Sequence, residues 1–445
     1  QKIFRGKSMP QPKTTRDGSG RKTGGNGASK IPATVRELPR ITTKSDTRDI
    51  LAHAAKDAKN LADYFVIDVD AHVTEIAFWN EITDLIDSDV YRQWAQSFRD
   101  RAGGGGGALM NISPGMSQQD VFGRIPHDHM QGENSDHESK HRQVVLTERA
   151  MDAMGIDYQI VFPTPMLQLG MHPQPDVEVV LGKAFNRWMT DRILPQQQRM
   201  KMLVYLPYCE PEACLEAIKE FGDKPGVIGF CITATRYKPV HHNQYMKLYR
   251  AIEETGKPLA FHAGYYWGDP SMMQINRFIG MHAISFVHFS ILHMTNWILN
   301  GLPERFPKLK VIWIESGLAW VPFLMQRLDS EYLMRSSEAP LLKRRPSDYM
   351  REMFYTTQPL ETSNLKLTEA TFDAVNAESQ LLFSSDWPHW DFNPPSSIAN
   401  LPFLNQKQKR NILGLNAAKL FNLKVPKGKL ANIPDYPLDL PQAAE

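Results

Sequence analysis

The sequence predicts an α/β protein built as one (β/α)8 (TIM) barrel, with a long insertion after strand 1, a helical insertion after strand 5 and an extended basic N-terminal arm. Three observations predict it. Short runs rich in β-branched and apolar residues recur from residue 66 onward, and there are eight of them. Stretches with helical periodicity separate them, the pattern of βα units around a parallel sheet. The chain has 445 residues, 42% of them apolar and 10% aromatic, ample for one large core.

In order, the predicted strands are VIDVDAH (66–72), QIVFPTP (159–165), MLVYLPY (202–208) and VIGFCIT (227–233). PLAFHA (258–263), KVIWIES (310–316), FYTTQ (354–358) and LLFSSDW (381–387) complete the set. Amphipathic stretches at 176–193, 211–222 and 243–256 read as helices. The last of these ends at Gly256, and Lys257-Pro258 then feeds the fifth strand.

Two insertions interrupt the alternation. Residues 73–158 exceed any ordinary connection and hold Gly103–Gly107 and a histidine-rich tract at 126–141. Such a loop at a barrel mouth reads as a lid or binding segment. Residues 264–309 form the second insertion, with a helical pattern. The domain reading is therefore an arm at 1–60, a barrel at 61–425 and a C-terminal extension at 426–445.

Charge is nearly balanced at +2, which argues against a nucleic-acid binder. Residues 1–48 nevertheless carry twelve Lys/Arg against Asp17, Glu37 and Asp46. An arm of this composition does not fold alone, and a second subunit is the simplest partner for it. A homo- or hetero-oligomer is the expectation. Cys209, Cys214 and Cys231 give no disulfide framework, and the Cys209-x4-Cys214 spacing lacks the second pair that a zinc site needs. No unbroken run of 18 apolar residues and no apolar N-terminal stretch occur. The expectation is a cytoplasmic protein without membrane spans, acting on a small molecule.

Barrel chemistry gathers at the C-terminal ends of the strands, so polar residues ending apolar strands are the candidates. Strand 1 ends in Asp70-Ala71-His72, and period-two alternation points Asp70 and His72 the same way. Two such donors at one rim suit one divalent cation. His262 ends strand 5 and Asp386 ends strand 8, a third and a fourth donor. Taken singly, each has a plain alternative, a core histidine or a helix-capping aspartate. His282, His288 and His293 do not share a helix face and read as core or surface residues; Trp387, His389 and Trp390 are placed to line the pocket.

The chain resembles the amidohydrolase superfamily, in its amidohydrolase-related branch of aminocarboxymuconate semialdehyde decarboxylase-like and resorcylate-type decarboxylases. The resemblance lies in VIDVDAHVTE (66–75), LTERAMDAMGIDYQIVFPT (146–164), PLAFHAG (258–264), GLPERFPKLKVIWIESGLAWVPFLMQRLD (301–329), LLFSSDWPHWD (381–391) and ILGLNAAKLFNL (412–423). These follow family order across about 350 residues. The resemblance implies a metal-dependent barrel with Asp70, His72, His262 and Asp386 as ligands. Many relatives end strand 6 in His where this chain has Glu315. Glu75 makes strand 1 a D-x-H-x-x-E motif, which resembles dinuclear members such as an iron thioesterase and an amino-acid hydroxylase. With His172 after strand 2, the second-metal candidates are Glu75, His172 and Glu315; the other reading makes Glu75 and Glu315 partners that orient a ligand histidine. Oxygen-rich donors favour Fe or Mn over Zn.

A metal-activated water would then serve hydrolysis or decarboxylation of a small carboxylate or amide-like substrate, with Asp386 as general base and Glu315 beside it. Two other readings fit the residues: a dinuclear Fe/Mn or Fe/Fe oxygenase, and a non-catalytic subunit with a structural metal that supports an active homologue.

Overall fold

The computed structural model describes residues 47–97 and 139–430. The basic segment expected to clamp a second subunit lies outside these residues up to position 46. The glycine run and most of the histidine-rich tract, His127, His129 and His137 included, lie outside them too.

All eight predicted strands form, in one sheet of order β1-β2-β3-β4-β5-β6-β7-β8. They are β1 (Ile67–Val73), β2 (Tyr158–Pro163), β3 (Met200–Tyr205), β4 (Val227–Thr233), β5 (Leu259–His262), β6 (Val311–Ile314), β7 (Phe354–Thr356) and β8 (Leu381–Leu382). Every neighbouring pair is parallel. The ends of the sheet meet: Val69 N donates to Phe383 O at 2.9 Å, and Ala71 bridges to Trp387.

Alternation divides the strand side chains between two layers. Ile67, Val69, Ile160, Phe162, Leu203, Cys231, Ala260, Ile312, Ile314 and Leu382 fill one buried cluster at the barrel axis, with Phe354 of β7 packed against it. Residues between them, such as Val161, Val204, Ile232, Phe261 and Trp313, join the larger cluster beneath the helices. The helix Met246–Thr255 ends at Gly256 in the left-handed conformation, φ 70°, as the Gly-Lys-Pro sequence predicts.

Strand β1 departs from simple alternation. Its pairing with β2 runs Asp68↔Gln159 and then Ala71↔Val161, so β1 holds one extra residue, a bulge. Ile67 and Val69 face the axis, while Ala71 and Val73 pack under the helices. The bulge is what lets Asp70 and His72 face the axis as well. Asp68, in the same sequence phase, is diverted to other partners: it accepts from Ser385 N at 2.7 Å, Ser385 Oγ at 2.5 Å and Gln159 Nε2 at 2.8 Å.

One other reading is corrected. Residues Thr47–Ala58, assigned to an extended arm, form a helix whose Ile50, Leu51 and Ala54 are buried in the core. The helix Phe278–Leu299 spans 22 residues with mean hydropathy 1.3, long and apolar enough to cross a membrane by length and composition. Ser, Thr, Asn and His interrupt it, so it holds no unbroken apolar run of 18 residues. Its inner face packs on the barrel: Trp297 and His293 lie against the Phe261 ring of β5.

A buried ion pair braces the outer layer. Arg236 Nη2 donates to Glu178 Oε1 at 2.9 Å, and its guanidinium lies 5.0 Å from the Tyr208 ring centroid. Glu178 also accepts from Tyr205 Oη and Cys209 N, both at 3.0 Å.

Candidate metal centre

Four strand ends bring their polar residues to one buried point. Asp70, His72, His262 and Glu315 form a group whose donor atoms all lie within 4.8 Å of one another, and His72, Asp386 and His389 form a second group on the same terms. Asp70 Oδ1 lies 3.1 Å from His262 Nε2 and 3.3 Å from His72 Nε2. His72 Nε2 lies 3.2 Å from Asp386 Oδ1 and 3.9 Å from Glu315 Oε2. His262 Nδ1 lies 3.6 Å from Glu315 Oε2.

Glu315 reaches the group through its backbone. Continued alternation after Ile314 would turn residue 315 under the helices with Trp313. Instead Glu315 adopts φ 58°, and Asp386 adopts φ 60°. Both are left-handed positions that side-chain-bearing residues seldom take, at the ends of two strands, each aiming a carboxylate at the same place.

The imidazoles are oriented as metal ligands would be. His72 Nδ1 meets Pro163 O at 2.9 Å and His262 Nδ1 meets Ala263 O at 2.8 Å. Nδ1 therefore carries the proton in each ring and Nε2 is left to accept a cation. His389 Nδ1 lies 2.7 Å from Asp386 Oδ1, and its Nε2 faces Thr164 Oγ1 at 3.3 Å.

Among the described residues, Asp70 Oδ2, His72 Nε2, both Glu315 carboxylate oxygens and Asp386 Oδ2 are buried without a hydrogen-bond partner. Unpaired buried carboxylates are costly, and three crowd this space. The electrostatics say the same. Burial works against a charged His72, yet Asp386 and Asp70 beside it outweigh that and push it up to about 10. Burial pushes Asp386 up to about 6, and burial with Asp386 and Asp70 lifts Glu315 well above the carboxylate range. Burial also raises Asp70, but the His262 and His72 imidazoles outweigh it and hold Asp70 low. The pocket demands positive charge, and a carboxylate-imidazole donor set of this kind fits a divalent cation.

The sequence pattern of the amidohydrolase family matches residues 67–423. The chain belongs to the amidohydrolase family. Among curated proteins, this amidohydrolase is 23% identical to gamma-resorcylate decarboxylase of Rhizobium sp. (strain MTP-10005) over 328 residues, 68% of this chain and 94% of that protein. The gamma-resorcylate decarboxylase of Rhizobium radiobacter matches over the same span at the same identity. Among solved structures, 5-carboxyvanillate decarboxylase from Sphingomonas paucimobilis aligns with TM-score 0.57 and 20% identity, covering 80% of this chain and 99% of that one. A Mycobacterium avium subsp. paratuberculosis amidohydrolase aligns with TM-score 0.59 and 19% identity, covering 80% and 99%. The dihydroxybenzoic acid decarboxylase of Polaromonas sp. JS666, solved with manganese and 2-nitroresorcinol, aligns with TM-score 0.55 and 17% identity, covering 81% and 97%.

Two candidates of the amidohydrolase's sequence lie outside both groups. Glu75 is fully buried, but its oxygens accept from Thr164 N at 2.8 Å and Met166 N at 2.6 Å, so it fastens the loop after β2. His172 is half-buried, its Nδ1 turned to the Gln174 backbone and its ring 6.3 Å from Trp94. Both are turned to backbone groups, Glu75 to two amides and His172 to Gln174, and neither belongs to the two donor groups. Sequence reading gave His389 only a lining role, and it left Asp391 and Gln358 without one. The motif DWPHWD holds the first two, and Gln358 is the polar end of β7, the same signal that marked His262 and Asp386.

Proposed function

We propose that this amidohydrolase is a metal-dependent decarboxylase of a small hydroxylated aromatic carboxylate. The observation that carries the reading is the buried group of Asp70, His72, His262 and Glu315 with Asp386 beside it. The named activities of the similar proteins, on resorcylate and carboxyvanillate, support the substrate class. Manganese in the Polaromonas enzyme supports a divalent transition metal.

Asp70, His72, His262 and Asp386 would hold the cation, with Glu315 adjacent. Bound there, a divalent metal supplies a Lewis acid that polarises substrate oxygen and orients the ring. Decarboxylation of an aryl acid replaces the C–CO2 bond with a C–H bond, so a proton must be delivered to the ring carbon. Asp386 is the group placed to carry that proton, its carboxyl pushed up to about 6 by burial in the metal-free pocket. His389 fixes its Oδ1, leaving Oδ2 as the atom that transfers the proton. In the metal-free pocket burial, with Asp386 and Asp70 beside it, lifts Glu315 well above the carboxylate range, and a bound cation would relieve that pressure. The surrounding strand ends are buried and exclude water, which protects that carbanion from misdirected protonation.

The test is direct. Protein purified without chelators is assayed for bound metals, reloaded with Mn, Zn or Fe(II), and offered 2,6-dihydroxybenzoate and 5-carboxyvanillate with carbon dioxide release as the readout. Metal-replete protein that releases none from these acids or their hydroxylated analogues would refute the reading.

A further inference from the structure

Strand β7 lies between β6 and β8, the strands that end in Glu315 and Asp386. Phe354 packs on the axial cluster, and Thr356 Oγ1 accepts from Glu315 N at 3.0 Å. Two residues further on, in the same phase, is Gln358, fully buried, with its backbone N bonded to Ser384 Oγ at 2.9 Å. Its side-chain Nε2 donates to Asp391 Oδ2 at 3.2 Å. A carboxylate only accepts, so the amide must turn its NH2 toward Asp391 and its carbonyl away.

The outcome is a pair of acceptors. Gln358 Oε1 and Asp391 Oδ1 are both shielded from solvent, and neither has a hydrogen-bond partner among the described residues. Buried acceptors are ordinarily satisfied, and two unsatisfied ones braced against each other call for an external donor. The pair is tied to the metal group from both sides: Thr356, two residues before Gln358, accepts from Glu315 N, and His389, two residues before Asp391, lies 2.7 Å from Asp386 Oδ1. The ring of Trp390, the residue before Asp391, lies 5.7 Å from the His282 ring.

We propose that Gln358 and Asp391 form a recognition pair that selects substrates carrying a hydroxyl or amino hydrogen-bond donor in addition to the carboxylate. This rests on the decarboxylase reading above and assigns the part of the substrate that the metal does not hold. A site built to accept from a hydroxyl rejects an analogue without one far more strongly than an apolar pocket does.

The experiment uses full-length, manganese-loaded protein and six probes: 2-, 3- and 4-hydroxybenzoate and the three matching fluorobenzoates, which are similar in size but donate nothing. Calorimetric titration should give at least one hydroxy isomer binding about tenfold or more tighter than its fluoro partner. In Gln358→Met and, separately, Asp391→Asn, that ratio should fall to about threefold or less while manganese content stays at the wild-type level. A ratio that persists in both variants, or a wild type with no hydroxyl preference at any position, overturns the recognition pair and leaves the metal reading standing. A wild type that takes up no manganese, zinc or iron sinks the proposed function, and the recognition pair with it.

Discussion

His389 holds Asp386: its Nδ1 lies 2.7 Å from Asp386 Oδ1, three residues back in the chain, while the other carboxylate oxygen remains unpaired and buried. One oxygen is fixed and the other is left for chemistry.

Asp386→Asn keeps the shape and the hydrogen bond from His389 but cannot carry the proton. Turnover should fall by about 100-fold or more, with an unchanged circular dichroism spectrum. His389→Gln should cost about 10–100-fold in kcat or metal affinity, because it loosens the aim of Asp386 without removing the acid. Steady-state kinetics on metal-replete protein check both.

Glu315 is one of three carboxylates crowded around His72 and His262. In Glu315→Gln the metal-free protein should melt at a higher temperature than metal-free wild type, because the amide enters the pocket without the cost of protonating or burying a carboxylate beside Asp386 and Asp70. The increment gained on adding manganese should shrink, since that increment is set by the affinity of the folded state. Thermal melts with and without EDTA read both quantities, and a full metal increment in the variant would argue against ligation by Glu315.

His293 is buried between Phe261 and the helix Phe278–Leu299, with Nε2 2.7 Å from Ala234 O. Burial, with the positive charge of Arg236 adding to it, pushes its pKa down to about 4 from 6.5. Between those values the unfolded chain binds a proton that the folded chain refuses. The contribution is therefore complete above pH 6.5 and is lost as the pH falls toward 4, on the order of 3 kcal/mol in all. His293→Gln, which keeps a donor for Ala234 O, should flatten that part of the acid stability curve in urea titrations. A slope equal to wild type would show that the ring is already free to charge.

Arg236 and Glu178 are both withdrawn from solvent, at 0% and 1% side-chain exposure. Arg236→Met strands a buried carboxylate and should cost about 3–5 kcal/mol in equilibrium unfolding. Adding Glu178→Gln should recover part of that loss, because the stranded charge is then removed.

The barrel was legible because each strand is a short apolar run and each connection carries a helical period. The donors were legible because His262 and Asp386 interrupt apolar runs at their C-terminal ends. What sequence could not supply was phase. Plain alternation groups Asp68 with Asp70 and His72, yet the extra residue in β1 sends Asp68 to Ser385 and Gln159. Glu315 enters the group through a left-handed backbone turn, which an ordinary glutamate in a run of residues does not announce. Glu75 looked like a ligand by spacing; its capture by two amides of the loop after β2 depends on a contact 89 and 91 residues away. The pairing of Gln358 with Asp391 likewise joins two loops that only barrel closure brings together.

The bulge in β1 separates two duties that one strand must perform, filling the axis and presenting the donors. Losing a single codon between positions 68 and 71 would close the bulge and leave His72 on the axis, but only one inward place would remain for Val69 and Asp70, so the strand would keep either its axial packing or its carboxylate. A mutational scan that includes deletions should therefore find that loss of codon 70 costs metal uptake as Asp70→Ala does, with the barrel still folded.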